Sequence, residues 1–328
     1  MDPNAPSMRS TKQSRVAVDG DLGGALAAPR RLEPAARFRK LWRVARWGVF
    51  AGALIYVLLV LTRSVPYFAT EPPVMMGDAA AYYLSDTPYD WSDRPDGVGE
   101  YRYAPAFLWL IAPLRLLPWE VFAVAWFVAH IGVVLYLRLP WMLAFPGVME
   151  DAIWGNVNTF VALAVVLIVR HRAAPLWAFI LLTKVTPGVA VVWHAARREW
   201  REFGVALGFT ALIVVVGVVL EPRLWASWVE ALIAAPGNYP APGDSLAVLI
   251  PRVLVGAGIA VYAAVTNRGW LLPIGMLVAV PGFWAYSFAL LLASVALYKE
   301  RLTRVEEERL AAPETDPRPL NSRSSIRK

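Results

Sequence analysis

Long apolar runs bounded by short clusters of basic residues constrain this chain more than any other feature. The runs 47–62 and 203–220 contain no charged residue. A helix rises about 1.5 Å per residue, so such runs approach the roughly 30 Å thickness of a bilayer core. Hydrophobic residues make up 58% of the 328 residues and charged residues 17%, against about 45–50% and about 25% in soluble domains. The pattern predicts an all-α polytopic membrane protein.

Composition and motifs argue against several other classes of protein. The chain has no cysteine, which excludes disulfides and thiolate chemistry, and its three histidines lack the HExxH spacing of a zinc site. The net charge is +7, but the basic residues flank apolar runs and do not form a nucleic-acid-binding patch. The chain contains no P-loop, dinucleotide-binding glycine pattern or GxSxG motif. We therefore expect no cofactor, no metal and no nucleic-acid partner.

The charge pattern divides the chain into three parts. The composition predicts that residues 1–45 form a disordered tail, whose basic end precedes the first predicted span, Trp47–Thr62, and the positive-inside rule predicts that this tail lies in the cytoplasm. Residues 46–298 form the integral membrane domain, with about eight to ten transmembrane or re-entrant helices. Residues 299–328 form a loose, charged cytoplasmic tail.

Two apolar runs contain interruptions that predict broken hairpins. Ala174–Trp193 has Lys184 near its middle and Pro187 three residues later, and basic residues flank both of its ends. Two ends on one side imply a re-entrant hairpin with Lys184 near its tip. A plain transmembrane helix from which Lys184 snorkels is an equal alternative. Trp270–Leu297 is broken at Pro281-Gly282 and is a candidate for a second hairpin.

The best candidate for chemistry lies in a long outer loop, residues 64–103, which is rich in acidic residues and tyrosines. Asp78 stands four residues before Tyr82, so the two side chains share one face of a helix. If this helix packs on the membrane surface, Asp78 points into a cavity and could take a proton from a hydroxyl. From the local sequence alone, a solvated acid in an acidic loop is the more ordinary interpretation.

Basic residues near the spans offer groups that could bind a phosphate. The segment 101–105, Tyr-Arg-Tyr-Ala-Pro, opens the second span and resembles an interfacial aromatic belt with a helix-initiating proline. Arg102 could also bind a phosphate, with Tyr103 beside it as a substrate contact. Lys184 would be costly in a membrane and could neutralise a lipid-linked phosphate, or it could pair with a buried carboxylate or carbonyl.

The segment 155–158, Gly-Asn-Val-Asn, opens a helix on the outer side. Asparagine at a helix start is an ordinary N-cap, which is the favoured interpretation of Asn156 and Asn158. Their amides could instead bind sugar hydroxyls. Glu150 and Asp151, just before this segment, are a second possible base.

Taken in order, these motifs resemble glycosyltransferase family 87, whose members have the GT-C membrane fold. The resemblance covers about residues 45–298 and rests on Asp78, Tyr103-x-Pro105, Gly155–Asn158, Lys184-x-x-Pro187 and Pro281-x-x-Trp284. The chain is similar to mycobacterial mannosyltransferases that use polyprenyl-phospho-mannose. Gly155–Asn158 stands where the family often has Gly-Gln-x-Asn, and a histidine expected near Trp284 is absent.

The resemblance implies a membrane glycosyltransferase with its active site on the extracytoplasmic face of the plasma membrane. Such an enzyme would move a hexose, mannose by resemblance, from a polyprenyl-phosphate donor to a lipid or glycan acceptor, with inversion and with Asp78 as the base. The substrate-binding candidates are Tyr82, Arg102, Tyr103, Asn156, Asn158 and Lys184. The alternatives are a lipid-linked-sugar transporter or flippase, which would need polar mid-membrane residues and two matching halves, and a non-catalytic component of envelope assembly.

Overall fold

The computed structural model describes residues 47, 51, 76–84, 88–89, 101–238 and 245–311, and the regular elements of this part are all helical. The first predicted span, the N-terminal tail and most of the outer loop lie outside the described residues. The α-helices described are α1 Gly77–Tyr83, α2 Pro105–Ile111, α3 Trp119–Tyr136, α4 Pro146–Trp154, α5 Asn158–His171, α6 Leu176–Thr183, α7 Val192–Ala196, α8 Trp200–Leu220, α9 Pro222–Asn238, α10 Leu246–Val265, α11 Leu272–Val278 and α12 Leu291–Ala311. Short 3-10 helices cover Leu114–Leu116, Pro140–Ala144, Pro187–Val191, Gly269–Leu271 and Ala285–Leu290.

Three of the described helices are long and apolar enough to cross a bilayer, and they identify a membrane protein. They are α3, α8 and α10, while α4 and α5 are bent by 115° and together form a fourth candidate span or a re-entrant pair. In α8 only 11% of the apolar window is buried inside the protein, so most of its surface suits contact with lipid. The predicted count of eight to ten membrane helices, which includes re-entrant ones, stays a prediction.

Both predicted interruptions occur. Helix α6 ends at Thr183, and Lys184 follows with φ −133° and ψ 75°, before the 3-10 helix Pro187–Val191. Proline has no N–H to donate back to the Thr183 carbonyl, so an α-helix cannot continue through this point undisturbed. The alternative of a plain helix through Lys184 is therefore wrong.

The second interruption lies between α11, which ends at Val278, and the 3-10 helix Ala285–Leu290. Arg252 of α10 donates from Nε to the Val278 carbonyl at 3.0 Å and from Nη1 to the Pro281 carbonyl at 2.7 Å. The guanidinium thus satisfies carbonyl groups that the end of a helix leaves without a partner.

Helices α10 and α11 approach through two glycines. A Cβ on Gly256 would lie 2.5 Å from the Gly275 carbonyl oxygen, and a Cβ on Gly275 would lie 2.7 Å from the Gly256 carbonyl oxygen. Small residues allow this backbone approach between membrane helices. The 3-10 helix Ala285–Leu290 packs on α4 and α5, which brings the second interruption to the α4–α5 turn.

The C-terminal segment differs from the prediction in its first part. Helix α12 continues to Ala311, so residues 299–311 are helical rather than loose, and the boundary drawn at 298 falls inside a helix. Glu300 pairs with Arg170 of α5, and Lys299 Nζ donates to the Arg138 carbonyl at 3.4 Å. These contacts anchor the charged extension of the helix, while residues 312–328 lie outside the described part.

Candidate active site

Helix α1 carries Asp78 and is fixed by its main chain to the turn between α4 and α5. The Met76 amide donates to the Ile153 carbonyl at 3.2 Å. Gly155 ends α4 with φ 70°, and a Cβ there would lie 2.5 Å from the Cβ of Ala79. A helix of seven residues is marginal on its own in water, so this docking is what holds Asp78 in place.

The side-chain amide of Asn156 holds the Asp78 carboxylate. Asn156 Nδ2 donates to Asp78 Oδ2 at 2.8 Å. The orientation of this amide is fixed, because its Oδ1 accepts from the Val157 amide at 2.8 Å and from Asn158 Nδ2 at 2.9 Å. Asn156 is buried, whereas Asp78 is partly exposed. The carboxylate is therefore bonded from the protein side and stays partly open.

Burial raises the pKa of Asp78 above its ordinary value. The hydrogen bond from Asn156 and the charges of Lys184 and Arg102 act in the opposite direction, because they favour the ionised form, but they do not cancel the effect of burial. A carboxylate with a raised pKa accepts a proton more readily near neutral pH. The surroundings of Asp78 thus suit a general base.

A packed group of aromatic rings lies behind Asp78. The Tyr82 hydroxyl donates to the Tyr103 hydroxyl at 3.0 Å, and the Tyr82 ring meets Phe107 and Trp126 edge to face at 5.1 and 5.9 Å between centroids. Burial raises the pKa of both tyrosines above the usual value, so their hydroxyls stay protonated. Because Tyr82 is only 1% exposed, its position favours support of Asp78 over direct contact with a substrate.

Two cationic side chains belong to the same region. Lys184 Nζ lies 5.3 Å from the centroid of the Tyr103 ring, and the charges of Lys184 and Arg102 both reach Asp78. The break after α6 makes this possible, because the Ala104 amide donates to the Leu182 carbonyl at 2.9 Å and joins the two segments. Two positively charged groups therefore act on the carboxylate.

The start of α5 differs from the predicted asparagine N-cap. The N-cap residue is Val157, which makes no side-chain cap. The side chain of Asp151 in α4 caps the helix instead. Its Oδ2 accepts from the Thr159 amide at 2.7 Å, and its Oδ1 accepts from Asn158 Nδ2 at 2.9 Å. A carboxylate at a helix N-terminus is stabilised by the helix dipole. Because Asp151 is 0% exposed, its environment argues for a structural role and against a second base.

Residues that follow the second interruption, Pro281-Gly282, also contact this site. Asn158 Nδ2 donates to the Tyr286 carbonyl at 3.3 Å. The rings of Trp284 and Tyr286 are nearly parallel, with 6.1 Å between centroids, and Trp284 is 55% exposed. The Pro281-x-x-Trp284 motif thus presents an open aromatic face next to the network that holds Asp78.

The structure gathers the predicted base and the six predicted substrate-binding residues into this one region, and it adds two contacts that the sequence did not suggest. His130 of α3 is buried, and its ring contacts the Asn156 carbonyl, although a histidine among apolar residues by itself indicates only packing. The constraint at Gly155 arises from Ala79, which is distant in sequence. Among the described residues, no three His, Asp or Glu side chains gather as a metal site would require.

An apolar cavity of about 870 Å³ borders the aromatic group. Residues of α2, α3, α5, α6 and α8 line it, and nearly all of their side chains there are aliphatic or aromatic, with Thr183 as the exception. Phe107 and Trp126 face both this cavity and Tyr82. The site therefore has a polar, charged centre next to an apolar cavity.

Comparison with known proteins gives one match. The family model of glycosyltransferase family 87 matches residues 101–311. This range includes Arg102, Tyr103, the Gly155–Asn158 turn and Lys184, whereas α1 and Asp78 precede it. No curated protein and no solved structure matches the chain.

Proposed function

The chain belongs to glycosyltransferase family 87, and on this premise we propose that it transfers a hexose from a polyprenyl-phosphate donor to a hydroxyl of a lipid or glycan acceptor, with Asp78 as general base. Mannose is the expected sugar, from the resemblance to mannosyltransferases. One observation carries the assignment of the base: a partly exposed carboxylate is held by Asn156 at 2.8 Å and has two cationic side chains nearby.

The apolar cavity supports a lipid-linked donor. Its apolar lining would bury an isoprenoid chain away from water. Phe107 and Trp126 form the boundary between this cavity and the aromatic group behind Asp78. A donor with its chain in the cavity would bring its phosphate towards Lys184 and Arg102.

The reaction follows from these positions. The acceptor hydroxyl gives its proton to the Asp78 carboxylate while its oxygen forms a bond to the anomeric carbon. The bond from that carbon to the phosphate oxygen breaks on the opposite face, and the polyprenyl phosphate leaves with the electron pair. The configuration is inverted in one displacement, so a single carboxylate suffices, unlike the pair that glycoside hydrolysis requires.

Lys184 and Arg102 would stabilise the leaving phosphate. Negative charge grows on the phosphate as the bond breaks, and fixed positive groups lower the energy of that charge most effectively where water is scarce. Asn156 would act on the base rather than on the sugar, because its Nδ2 already bonds Asp78. Tyr103 would line the site below Lys184, and Asn158 would hold Asn156 in place.

The proposed setting is a multi-pass plasma-membrane protein of GT-C type, with both termini in the cytoplasm and the active site on the extracytoplasmic face. Basic residues after α5 and α7 support this orientation, because positive charge marks the cytoplasmic ends of spans. The α4–α5 turn and α1 then lie at the opposite ends of these elements, on the outer side.

Transfer assays with Asp78→Asn test this function. Membranes containing the full chain would receive labelled polyprenyl-phosphate mannose or other polyprenyl-phosphate hexoses together with native lipid extract. We expect wild type to form a labelled glycolipid and Asp78→Asn to lose about 10²–10⁴-fold in rate, the usual contribution of a positioned base. Glu230→Gln, an exposed carboxylate on α9, is the matched control and should transfer normally.

Two results would count against the proposal. Equal transfer by wild type and Asp78→Asn at equal protein levels would remove Asp78 from the mechanism and leave the enzyme class intact. No transfer by wild type from any polyprenyl-phosphate hexose would reject the donor class, and flipping of the lipid-linked sugar should then be measured in vesicles.

A further inference from the structure

The ring of His130 lies between two carbonyl oxygens. Nδ1 is 2.8 Å from the carbonyl of Trp126, one turn earlier in α3, and Nε2 is 2.7 Å from the carbonyl of Asn156. A carbonyl oxygen only accepts hydrogen bonds, so both contacts are hydrogen bonds only if each ring nitrogen donates. Two donors on one imidazole make it an imidazolium, and a neutral ring would leave one nitrogen lone pair facing a carbonyl.

A buried charge needs a counter-charge, and Asp151 supplies one. Asp151 Oδ2 lies 3.6 Å from His130 Nε2, and the two side chains are 0% and 1% exposed. Removing one partner of such a pair is costly because it leaves the other charge buried and alone. Asp151 also accepts from the Thr159 amide and from Asn158 Nδ2, so the pair is joined to the start of α5.

These bonds converge on Asn156 from both sides. Its carbonyl accepts from His130, its Oδ1 accepts from Asn158 and Val157, and its Nδ2 therefore points to Asp78 at 2.8 Å. A shift of the Asn156 main chain would carry the amide away from the carboxylate. The buried His130 is thus joined through Asn156 to a hydrogen bond at the site without touching Asp78.

We propose that His130, as an imidazolium paired with Asp151, is a positioning residue for the base, because it fixes Asn156 and through it the donor that orients and ionises Asp78. The expected effect on kcat rests on the proposed function, but the expected effect on the ionisation of Asp78 does not. Ring packing against Phe160, at 4.5 Å between centroids, would by itself need only an apolar or neutral side chain.

Carbodiimide labelling of Asp78, followed by peptide mass spectrometry across pH, tests the proposal without any turnover. The reagent modifies protonated carboxyls, so the midpoint of labelling follows the ionisation of Asp78. The Asn156 donor favours the carboxylate, so losing it raises the midpoint. The charged or titratable groups that act on Asp78 are Lys184, Arg102, Tyr82 and Tyr103, and none of them changes in His130→Gln.

We expect His130→Gln and Asn156→Ala to move the midpoint to higher pH by about one unit each, and the double variant to move it no further than Asn156→Ala alone, because both act through one bond. In transfer assays His130→Gln should lower kcat about tenfold and leave the donor KM within about twofold. His171→Gln, at the exposed end of α5, is the matched control. An unchanged midpoint in His130→Gln, or full additivity with Asn156→Ala, overturns the proposal.

A measurement on the wild type covers the case in which His130→Gln does not fold. Nitrogen-15 NMR of protein with labelled histidine reports how many ring nitrogens carry protons, and the chain has three histidines. We expect one ring with both nitrogens protonated at neutral pH, retained in His171→Gln and in His194→Gln. Its absence at neutral pH would refute the imidazolium. If wild type transfers no hexose, the proposed function fails, while labelling and NMR still decide the role of His130.

Discussion

Asp78 and Glu199 are both partly covered carboxylates, and their surroundings act on them in opposite directions. Asp78 accepts from a neutral amide at 2.8 Å, and burial raises its pKa. Burial also tends to raise the pKa of Glu199, but hydrogen bonds from Arg197 and His194 outweigh it and hold that pKa below the usual value. The distances are 2.9 Å from Arg197 Nε and 2.8 Å from His194 Nδ1.

The difference shows how one protein assigns two roles to the same functional group. A neutral donor fixes the position of a carboxylate and leaves it basic, whereas a cationic donor such as Arg197 fixes its position and also its charge. Arg197 continues from Glu199 to the Asn267 side chain and so ties the turn before α8 to the end of α10. The first arrangement suits proton transfer and the second suits holding helices together.

The largest loss of transfer in this comparison should come from Gly155→Ala, which should displace Asp78 without changing any charge. The left-handed backbone, at φ 70°, costs a non-glycine residue about 1–2 kcal/mol, and the new Cβ would meet Ala79. We expect α1 to shift and transfer to fall about 100-fold, as misplaced catalytic groups commonly cause. Gly132→Ala, where a Cβ meets nothing within 4 Å, should transfer normally. Normal transfer by Gly155→Ala would mean that the position of α1 does not depend on the close approach of Gly155 to Ala79.

Asn156→Ala removes the neutral donor of Asp78 and leaves the donors of Glu199 in place, so it tests the contrast between the two carboxylates. The pKa of Asp78 is raised, so transfer should decline as pH falls through it, and loss of Asn156 should move that decline to higher pH. Below the midpoint of the wild-type profile the rate should drop about tenfold relative to wild type, with a smaller loss above that midpoint. Asn267→Gly, which alters the Glu199 end and keeps its left-handed backbone, should leave the pH profile alone. Identical profiles for Asn156→Ala and wild type would show that this donor does not tune the base.

Glu199→Gln tests the other carboxylate. Its folded-state pKa is lowered, so it stabilises the protein above its unfolded-state pKa and that contribution is lost as pH falls through the folded-state value. We expect the substitution to lower stability by about 1 kcal/mol at pH 7, with a melting temperature lower by about 3 °C, and to leave transfer within twofold. A thermal shift series from pH 3 to 7 in detergent should show the gap between the variants closing in acid. A gap that stayed constant would exclude ionisation of Glu199 as its cause.

The smallest expected effect is a gain in stability from Asp78→Asn. A carboxylate whose pKa is raised on folding costs stability as pH rises through that value, and asparagine removes the cost while its oxygen still accepts from Asn156. We expect a melting temperature about 2 °C higher at pH 7.5 and no difference near pH 3. The matched Glu230→Gln should not differ from wild type. A lower melting temperature for Asp78→Asn would indicate that the ionised group stabilises the fold and weaken the contrast with Glu199.

The sequence predicted an all-helical membrane protein and the interruptions of two apolar runs, because these features depend on local signals. Uncharged runs indicated membrane helices, and Pro187 indicated a break near Lys184, although a plain helix was an equal alternative. The Pro281-Gly282 break was predicted in the same way. Each of these features is set by residues within a few positions of one another.

The parts that the sequence did not predict depend on contacts between distant residues. Asparagine at the start of α5 indicated a cap, yet Asp151 provides it, because the bend between α4 and α5 turns that carboxylate towards the helix start. The hydrogen bonds of His130 depend on the packing of α3 against the same turn. Periodicity and turn propensity carry no information on either contact.

The shortness of α1 has a consequence for how the protein becomes active. Its bond to Asn156 closes a chain segment of 78 residues, and such distant contacts form late, since the loop entropy is lost before the contact gains anything. The cavity is built by α2, α3, α5, α6 and α8 and does not include α1. Under the proposed function, a chain in which α1 has not docked would keep the lining of the donor cavity and lack the carboxylate at the site. Docking of α1 would then be the step that separates donor binding from turnover.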